Sequence, residues 1–177
     1  KLEGKELVKW KYQTYMKDFM RCTWGVDENV GRVLETLEEL ALEDNTIVMY
    51  SSDQGFYMGE HGWFDKRFMY EESMRTPLAV RYPASIAPQQ EVTELVQNID
   101  YAPTLLDFAG VPTEPGVQGI SLRPLMTGET QTLHRDSLYY HYYQGIESEH
   151  RVAKQYGVRT RSEEHTSELQ SLTNLGL

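Results

Sequence analysis

Polar side chains that could do chemistry concentrate between residues 46 and 83 of this 177-residue chain. An acid and an amide, Asp53 and Gln54, come soon after a short apolar run at residues 47–50. His61 and Lys66 follow in a loop that several glycines interrupt. In open α/β sheets, ligand-binding groups lie just beyond the carboxyl ends of strands. The segment therefore predicts a ligand site at the end of a strand.

Asp53 and Gln54 both offer oxygen atoms, which suit Ca²⁺ or Mg²⁺ better than zinc. Ca²⁺ takes about six to eight oxygen ligands, and the chain has no second compact cluster to supply the others. On the residues alone, a strand-end turn with an Asx-type backbone bond is the favoured explanation of the pair. Lys66 could reach back over the strand end, although a lone lysine is usually solvated. His61 could donate to an oxyanion, or it could be an ordinary surface histidine.

The flanking sequence predicts an α/β fold, because strands and helices alternate at short intervals. Apolar residues spaced three and four apart predict a helix over residues 7–41 that packs on a sheet, with Cys22 as a small core residue. Residues 111–130 are interpreted as surface loop. The remaining predicted elements are strands at 47–50, 78–82, 95–96, 138–143 and 156–160, a helical turn at 69–74 and a helix at 100–110.

Composition excludes several classes of function. The formal net charge of −10 disfavours a nucleic-acid partner, since no basic stripe is available to neutralise phosphates. No apolar run approaches the roughly 20 residues that a membrane-spanning helix needs. The single cysteine excludes an internal disulfide. The chain starts without a methionine or a signal peptide, on a charged segment that reads as helical, and we expect it to be truncated there.

The last residues differ from the rest. Residues 161–177 are polar, lack a clear period and back-translate into a sequence that resembles a common short-read sequencing adapter. We therefore expect residues 1–160 to form the native portion and residues 161–177 to be a non-native tail.

The string SSDQGFYMGEHGWFDKRFMYEESMRTPLAVRYP resembles the second-half signature of the sulfatase family, within the alkaline-phosphatase-like superfamily, and especially its bacterial hexosamine-6-sulfatase-like branch. Three other stretches support the resemblance, which covers nearly all of residues 12–160: VDENVGRVLETLEELALEDNTIV, NIDYAPTLLDFAGVP and GISLRPLMTGE. The resemblance implies the carboxy-terminal portion of an α/β/α sandwich, present here without its amino-terminal half.

Residue by residue, the resemblance implies that Asp53 and Gln54 ligate an active-site Ca²⁺, with Mg²⁺ less favoured. Many relatives have Asn or His at the position of Gln54. Lys66 would contact the sulfate group as a catalytic and substrate-binding residue. His61 would lie at the mouth of the pocket in both roles, and His141 would line the sugar-binding side.

Sulfatases also carry a Cys-x-Pro/Ala-Ser-Arg motif, whose cysteine or serine is oxidised to the nucleophile formylglycine. Cys22 precedes Thr-Trp-Gly-Val and does not match this motif. The resemblance thus implies a periplasmic or secreted enzyme that hydrolyses sulfate esters on sulfated sugars of glycans, with a nucleophile outside this chain, which alone would be inactive. Two alternatives stay open: a phosphodiester or phosphonate hydrolase of the same superfamily, and a non-catalytic sugar-binding relative.

Overall fold

The computed structural model describes residues 2–161, which form two compact units. The first consists of the chain up to Ile47 together with Tyr82–Ala84. The second consists of Val48–Arg81 and the chain from Ser85 onward. The expected non-native tail lies outside the described residues apart from Arg161, so that expectation stays a prediction.

The first unit is built on one long helix, α1 (Gly4–Glu39), followed by a 3-10 turn at Glu43–Asn45. The helix confirms the prediction from apolar spacing. No residue of α1 is buried, and Cys22 is exposed, so its prediction as a core residue is wrong. The physical reason is that the described part of this unit contains no sheet to cover the apolar face. None of the described helices is long and apolar enough to cross a membrane.

The second unit contains the remaining elements in short segments. They are β1 (Val48–Ser51), a 3-10 turn (Glu60–Gly62), α2 (Glu71–Met74), β2 (Leu78–Arg81), a 3-10 turn (Asn98–Asp100), α3 (Tyr101–Phe108), α4 (Arg123–Met126), β3 (Ser137–Tyr142) and β4 (Gln155–Thr160). Most of the predicted strands and helices are therefore confirmed to within a few residues.

Two antiparallel pairs make up the sheets of this unit. Strands β1 and β2 pair with Val48 opposite Arg81 and Ser51 opposite Leu78. Strands β3 and β4 pair with Ser137 opposite Thr160. The carboxyl end of β1 leads directly into the segment with Asp53, as the sequence predicts.

Two expectations about this unit are wrong. Residues 95–96 form no strand, because side chains rather than a neighbouring strand bond the backbone there: the Leu95 carbonyl accepts from Arg135, and the Gln97 amide donates to Asp100. Residues 111–130 are not all loop, because they include α4. Pro124 lies in the first turn of α4, where its missing amide hydrogen costs nothing.

Asp100 is the charged centre of the second unit. Its side chain is fully buried, and Arg135 donates to its two carboxylate oxygens at 2.5 and 2.7 Å. The backbone amides of Gln97 and Ile120 donate to the same carboxylate at 2.8 and 3.0 Å. Burial raises the pKa of the Asp100 carboxyl, but the bonds from Arg135, Ile120 and Gln97 outweigh burial and hold the pKa below its usual range.

We expect Asp100→Asn to lower the free energy of unfolding by about 3–5 kcal/mol at neutral pH, because the change leaves Arg135 as a buried charge without its partner. The folded pKa of Asp100 is depressed, so its contribution is present above the unfolded pKa of an aspartate and is lost as the pH falls through the folded value. Urea unfolding of the wild type between pH 7 and pH 3 should show this acid loss, and the variant should show less of it. Asp136→Asn, which changes an exposed neighbour, is the control. Equal stability of the two variants would contradict the assignment.

Candidate active site

Asp53 and Gln54 lie just beyond the end of β1, on a turn whose backbone is held from several sides. The Asn98 side-chain amide donates to the Asp53 carbonyl at 2.8 Å. The Ser52 hydroxyl donates to the Gln54 carbonyl at 2.9 Å. At the end of β1, the hydroxyls of Ser51 and Tyr101 lie 2.7 Å apart. The backbone of this turn is therefore fixed, while the Asp53 side chain stays exposed.

The donor chemistry of this turn fits a hard divalent cation, because a carboxylate and an amide both present oxygen. It is not a complete set of ligands. Within residues 2–161, no group of three or more His, Cys, Asp or Glu residues is arranged to hold a metal ion. Asp53 and Gln54 could thus hold one side of such an ion, and the remaining ligands would come from elsewhere.

The loop that carries Lys66 folds back on Tyr57. Tyr57 is fully buried, its hydroxyl donates to the Phe68 carbonyl at 2.8 Å, and its amide donates to the Asp65 carbonyl at 2.7 Å. Burial raises the pKa of Tyr57 to about 12, so it stays a neutral donor. Asp65 also pairs with Arg67. These contacts place Lys66 between two residues that are bonded to each other.

Ser73 joins the Asp53 turn to the Lys66 loop. Its carbonyl accepts from the Gly55 amide at 2.8 Å, and its buried hydroxyl donates to the Lys66 carbonyl. Gly55 allows this contact because a Cβ at that position would lie 2.1 Å from the Glu72 carbonyl oxygen. A larger residue would push α2 away. The two halves of the predicted site are therefore linked through one serine of α2.

His61 packs in an aromatic cluster. Its ring stacks on Tyr70 at a centroid distance of 4.6 Å and meets the edge of Tyr57 at 6.0 Å. Its Nε2 lies 3.3 Å from Glu72 Oε1. The backbone of His61 is left-handed, with a φ of 54°. These contacts give His61 a structural role, and its catalytic role stays a prediction.

His141 lies on β3 among tyrosines. Its Nδ1 is 3.0 Å from the Tyr139 hydroxyl, and its ring stacks on exposed Tyr143 at 3.8 Å. Strand β3 reaches the Lys66 loop, because the Tyr140 hydroxyl donates to the Arg67 carbonyl at 2.8 Å. No hydrogen bond or ion pair within the described chain links the side chains of Asp53, Lys66 and His141 directly.

Sequence reasoning missed the residues that hold the site together, namely Ser73, Asn98, Arg135, Tyr140 and Gln155. Most of their bonds to the site or to Asp100 join residues 35 to 88 positions apart. No local pattern signals such a pairing. The one available signal is Asp100 at the start of a predicted helix, where an acid is expected for another reason.

Comparison with known proteins places these features in a family. Residues 59–165 match the family model described as N-sulphoglucosamine sulphohydrolase, C-terminal. An N-acetylglucosamine-6-O-sulfatase of Bacteroides thetaiotaomicron is 51% identical over 162 residues, which cover 90% of this chain and 29% of that protein. The chain thus spans under a third of the length of this relative.

Solved structures agree. The structure of BT4656 in complex with its substrate D-glucosamine-2-N,6-O-disulfate matches with a TM-score of 0.85 and 51% identity, over 90% of this chain and 33% of that one. A phosphonate monoester hydrolase from Silicibacter pomeroyi matches with a TM-score of 0.61 and 33% identity, over 66% of this chain and 23% of that one. The matches confirm the predicted family and the α/β fold class of a partial sulfatase domain. The chain belongs to the sulfatase family, in the region of its N-sulphoglucosamine sulphohydrolase C-terminal model.

Proposed function

We propose that this chain is the carboxy-terminal part of a sulfuric-ester hydrolase that removes sulfate from sugars of sulfated glycans, with 6-sulfated glucosamine as the sugar. The observation that carries the proposal is the 51% identity to an N-acetylglucosamine-6-O-sulfatase, over a match that covers 90% of the chain and so includes Asp53 and Lys66. We also propose a periplasmic or secreted location for the complete protein, as the resemblance to the family implies.

Asp53 and Gln54 would hold a divalent cation. Ca²⁺ is favoured over Mg²⁺ because Ca²⁺ takes side-chain amide oxygens beside carboxylates in a flexible geometry, whereas Mg²⁺ usually keeps several waters and binds through one or two carboxylates. When bound, such an ion neutralises negative charge on the oxygens of the sulfate group. The Asn98 and Ser52 contacts support this assignment, since they fix the backbone and leave the Asp53 carboxylate exposed.

Lys66 would place its ammonium group against the sulfate and offset the charge that develops as the S–O bond breaks. Its side chain makes no ion pair within residues 2–161, although the backbone around it is fixed by Ser73 and Tyr57. His61, at the mouth of the pocket, and His141, on the sugar side, are proposed substrate-binding residues. His61 would act with Glu72, which lies within hydrogen-bond distance of its Nε2.

The nucleophile would come from outside this chain. Cys22 lies exposed on α1 and is followed by Thr-Trp-Gly-Val, which is not the context in which formylglycine forms. We therefore propose that the chain alone has no sulfatase activity. A second candidate function is phosphonate monoester hydrolysis, which is favoured by the 33% identity to an enzyme of that class.

We expect Asp53→Ala to weaken Ca²⁺ binding by about a hundredfold or more in the full-length protein, since even residues that only support a metal ligand change affinity by about 10- to 100-fold. Isothermal titration calorimetry with Ca²⁺ measures the change. Asp136→Ala removes an exposed acid of the same charge and should leave the affinity unaltered. Unchanged binding in Asp53→Ala would show that Asp53 is not a ligand.

We expect Lys66→Ala to lower kcat/KM for N-acetylglucosamine 6-sulfate by about 10²- to 10³-fold, the typical cost of one lost group that stabilises transition-state charge. Sulfate release by the full-length protein measures this, with Lys154→Ala, an exposed lysine, as the control. Wild-type rates in Lys66→Ala would remove the residue from the site.

Faster turnover of a phosphonate monoester than of the sulfate ester by the wild type would favour the second candidate function. Binding of the sugar without turnover of either ester would indicate a non-catalytic relative.

A further inference from the structure

The Arg67 carbonyl, one residue after Lys66, accepts two hydrogen bonds from the hairpin of β3 and β4. The Tyr140 hydroxyl and the Gln155 side-chain amide each donate to it at 2.8 Å. The preceding carbonyl, that of Lys66 itself, accepts from Ser73. Two consecutive peptide groups are thus fixed by side chains from three elements: α2, β3 and β4.

Gln155 makes its bond to Arg67 at a cost to stability. Only 4% of its surface is exposed, and its buried side-chain carbonyl oxygen has no hydrogen-bond partner among residues 2–161. A buried acceptor without a donor is destabilising, whereas an apolar side chain of similar size avoids that cost. Tyr140 alone already satisfies the Arg67 carbonyl. The bond from Gln155 is therefore not needed to satisfy the Arg67 carbonyl, and it restrains the position of this peptide group instead.

Restraint matters here because a lysine side chain is long and flexible. Its ammonium position depends first on where its backbone lies. Misplacement of a reacting or binding group by about 1 Å can cost about 10²-fold in rate, and functional groups are held by supporting residues with fixed rotamers. Gln155, buried at the start of β4, and Tyr140, half-buried in the middle of β3, supply that support.

We propose that Gln155 and Tyr140 are positioning residues for Lys66: they fix the Arg67 peptide group so that the lysine presents its ammonium to the sulfate. The proposal rests on the proposed function of Lys66 as the sulfate-binding residue. Neither residue is proposed to touch the substrate, and both act through the backbone of the loop.

The test uses Gln155→Leu and Tyr140→Phe in the full-length protein, with N-acetylglucosamine 6-sulfate as substrate. Each change leaves one donor on the Arg67 carbonyl. We expect kcat/KM to fall by about tenfold in each, a fraction of the cost of full misplacement, while the urea midpoint of Gln155→Leu stays equal to or above that of the wild type. Tyr142→Phe is the matched control, because the Tyr142 hydroxyl on the same strand donates only to the Gln144 side chain, at 2.9 Å. It should leave kcat/KM unaltered.

A structural role is separated from positioning by repeating both changes in the Lys66→Ala background. If Gln155 and Tyr140 act through Lys66, their removal should change the residual rate by less than about twofold there, because residues that act as a unit are not additive. An equal tenfold loss with and without Lys66 would overturn the proposal, as would unchanged activity in both single variants. A wild-type rate in Lys66→Ala would instead refute the function proposed for Lys66. If Gln155→Leu fails to fold, the conclusion that the Gln155 side chain is destabilising is refuted. The activity of Tyr140→Phe alone then tests the positioning role.

Discussion

The buried carboxylate of Asp100 is the interaction on which the second unit depends. A charge without water is tolerated only when hydrogen bonds and an opposite charge compensate it. Here Arg135 and the amides of Gln97 and Ile120 provide that compensation, and they come from three separate segments. Because one carboxylate needs all of them, the segments must meet at one point.

The position of the Asp53 turn follows from that constraint. Asn98, two residues before Asp100, donates to the Asp53 carbonyl, and Tyr101, directly after it, meets the Ser51 hydroxyl. An ion pair that never touches the predicted metal ligands therefore decides where their backbone lies. Ser73 continues the chain of contacts to Lys66. Nearly all these contacts end on backbone atoms, so the functional side chains themselves remain available for ligands.

The sequence predicts what is local and misses what is distant. Apolar spacing was sufficient for α1, the helix-start and helix-stop residues Asp100, Pro103 and Gly110 for α3, and the apolar run before Asp53 for β1. Each of these signals lies within or directly beside its element. The roles predicted for Asp53 and Lys66 came from resemblance to a family. Composition and spacing alone also allowed an ordinary strand-end turn for Asp53 and a solvated surface lysine for Lys66. Burial of Cys22 was predicted wrongly because an apolar face indicates a partner surface without showing that the partner is present.

The net charge of the chain bears on why the position of Lys66 would matter for the proposed function. The formal net charge of this chain is −10, so its residues provide no general positive field that would attract a sulfated ligand at long range. Under the proposed function, recognition of sulfate by this chain would therefore depend on a few local positive charges at short range. A hydrogen bond from an ammonium group to a sulfate oxygen needs a donor–acceptor distance of about 2.7–3.2 Å, so displacement of the ammonium by about 1 Å would break it. The backbone bonds from Ser73, Tyr140 and Gln155 hold the loop that carries Lys66, which is what a short-range contact between its ammonium group and a sulfate oxygen would require.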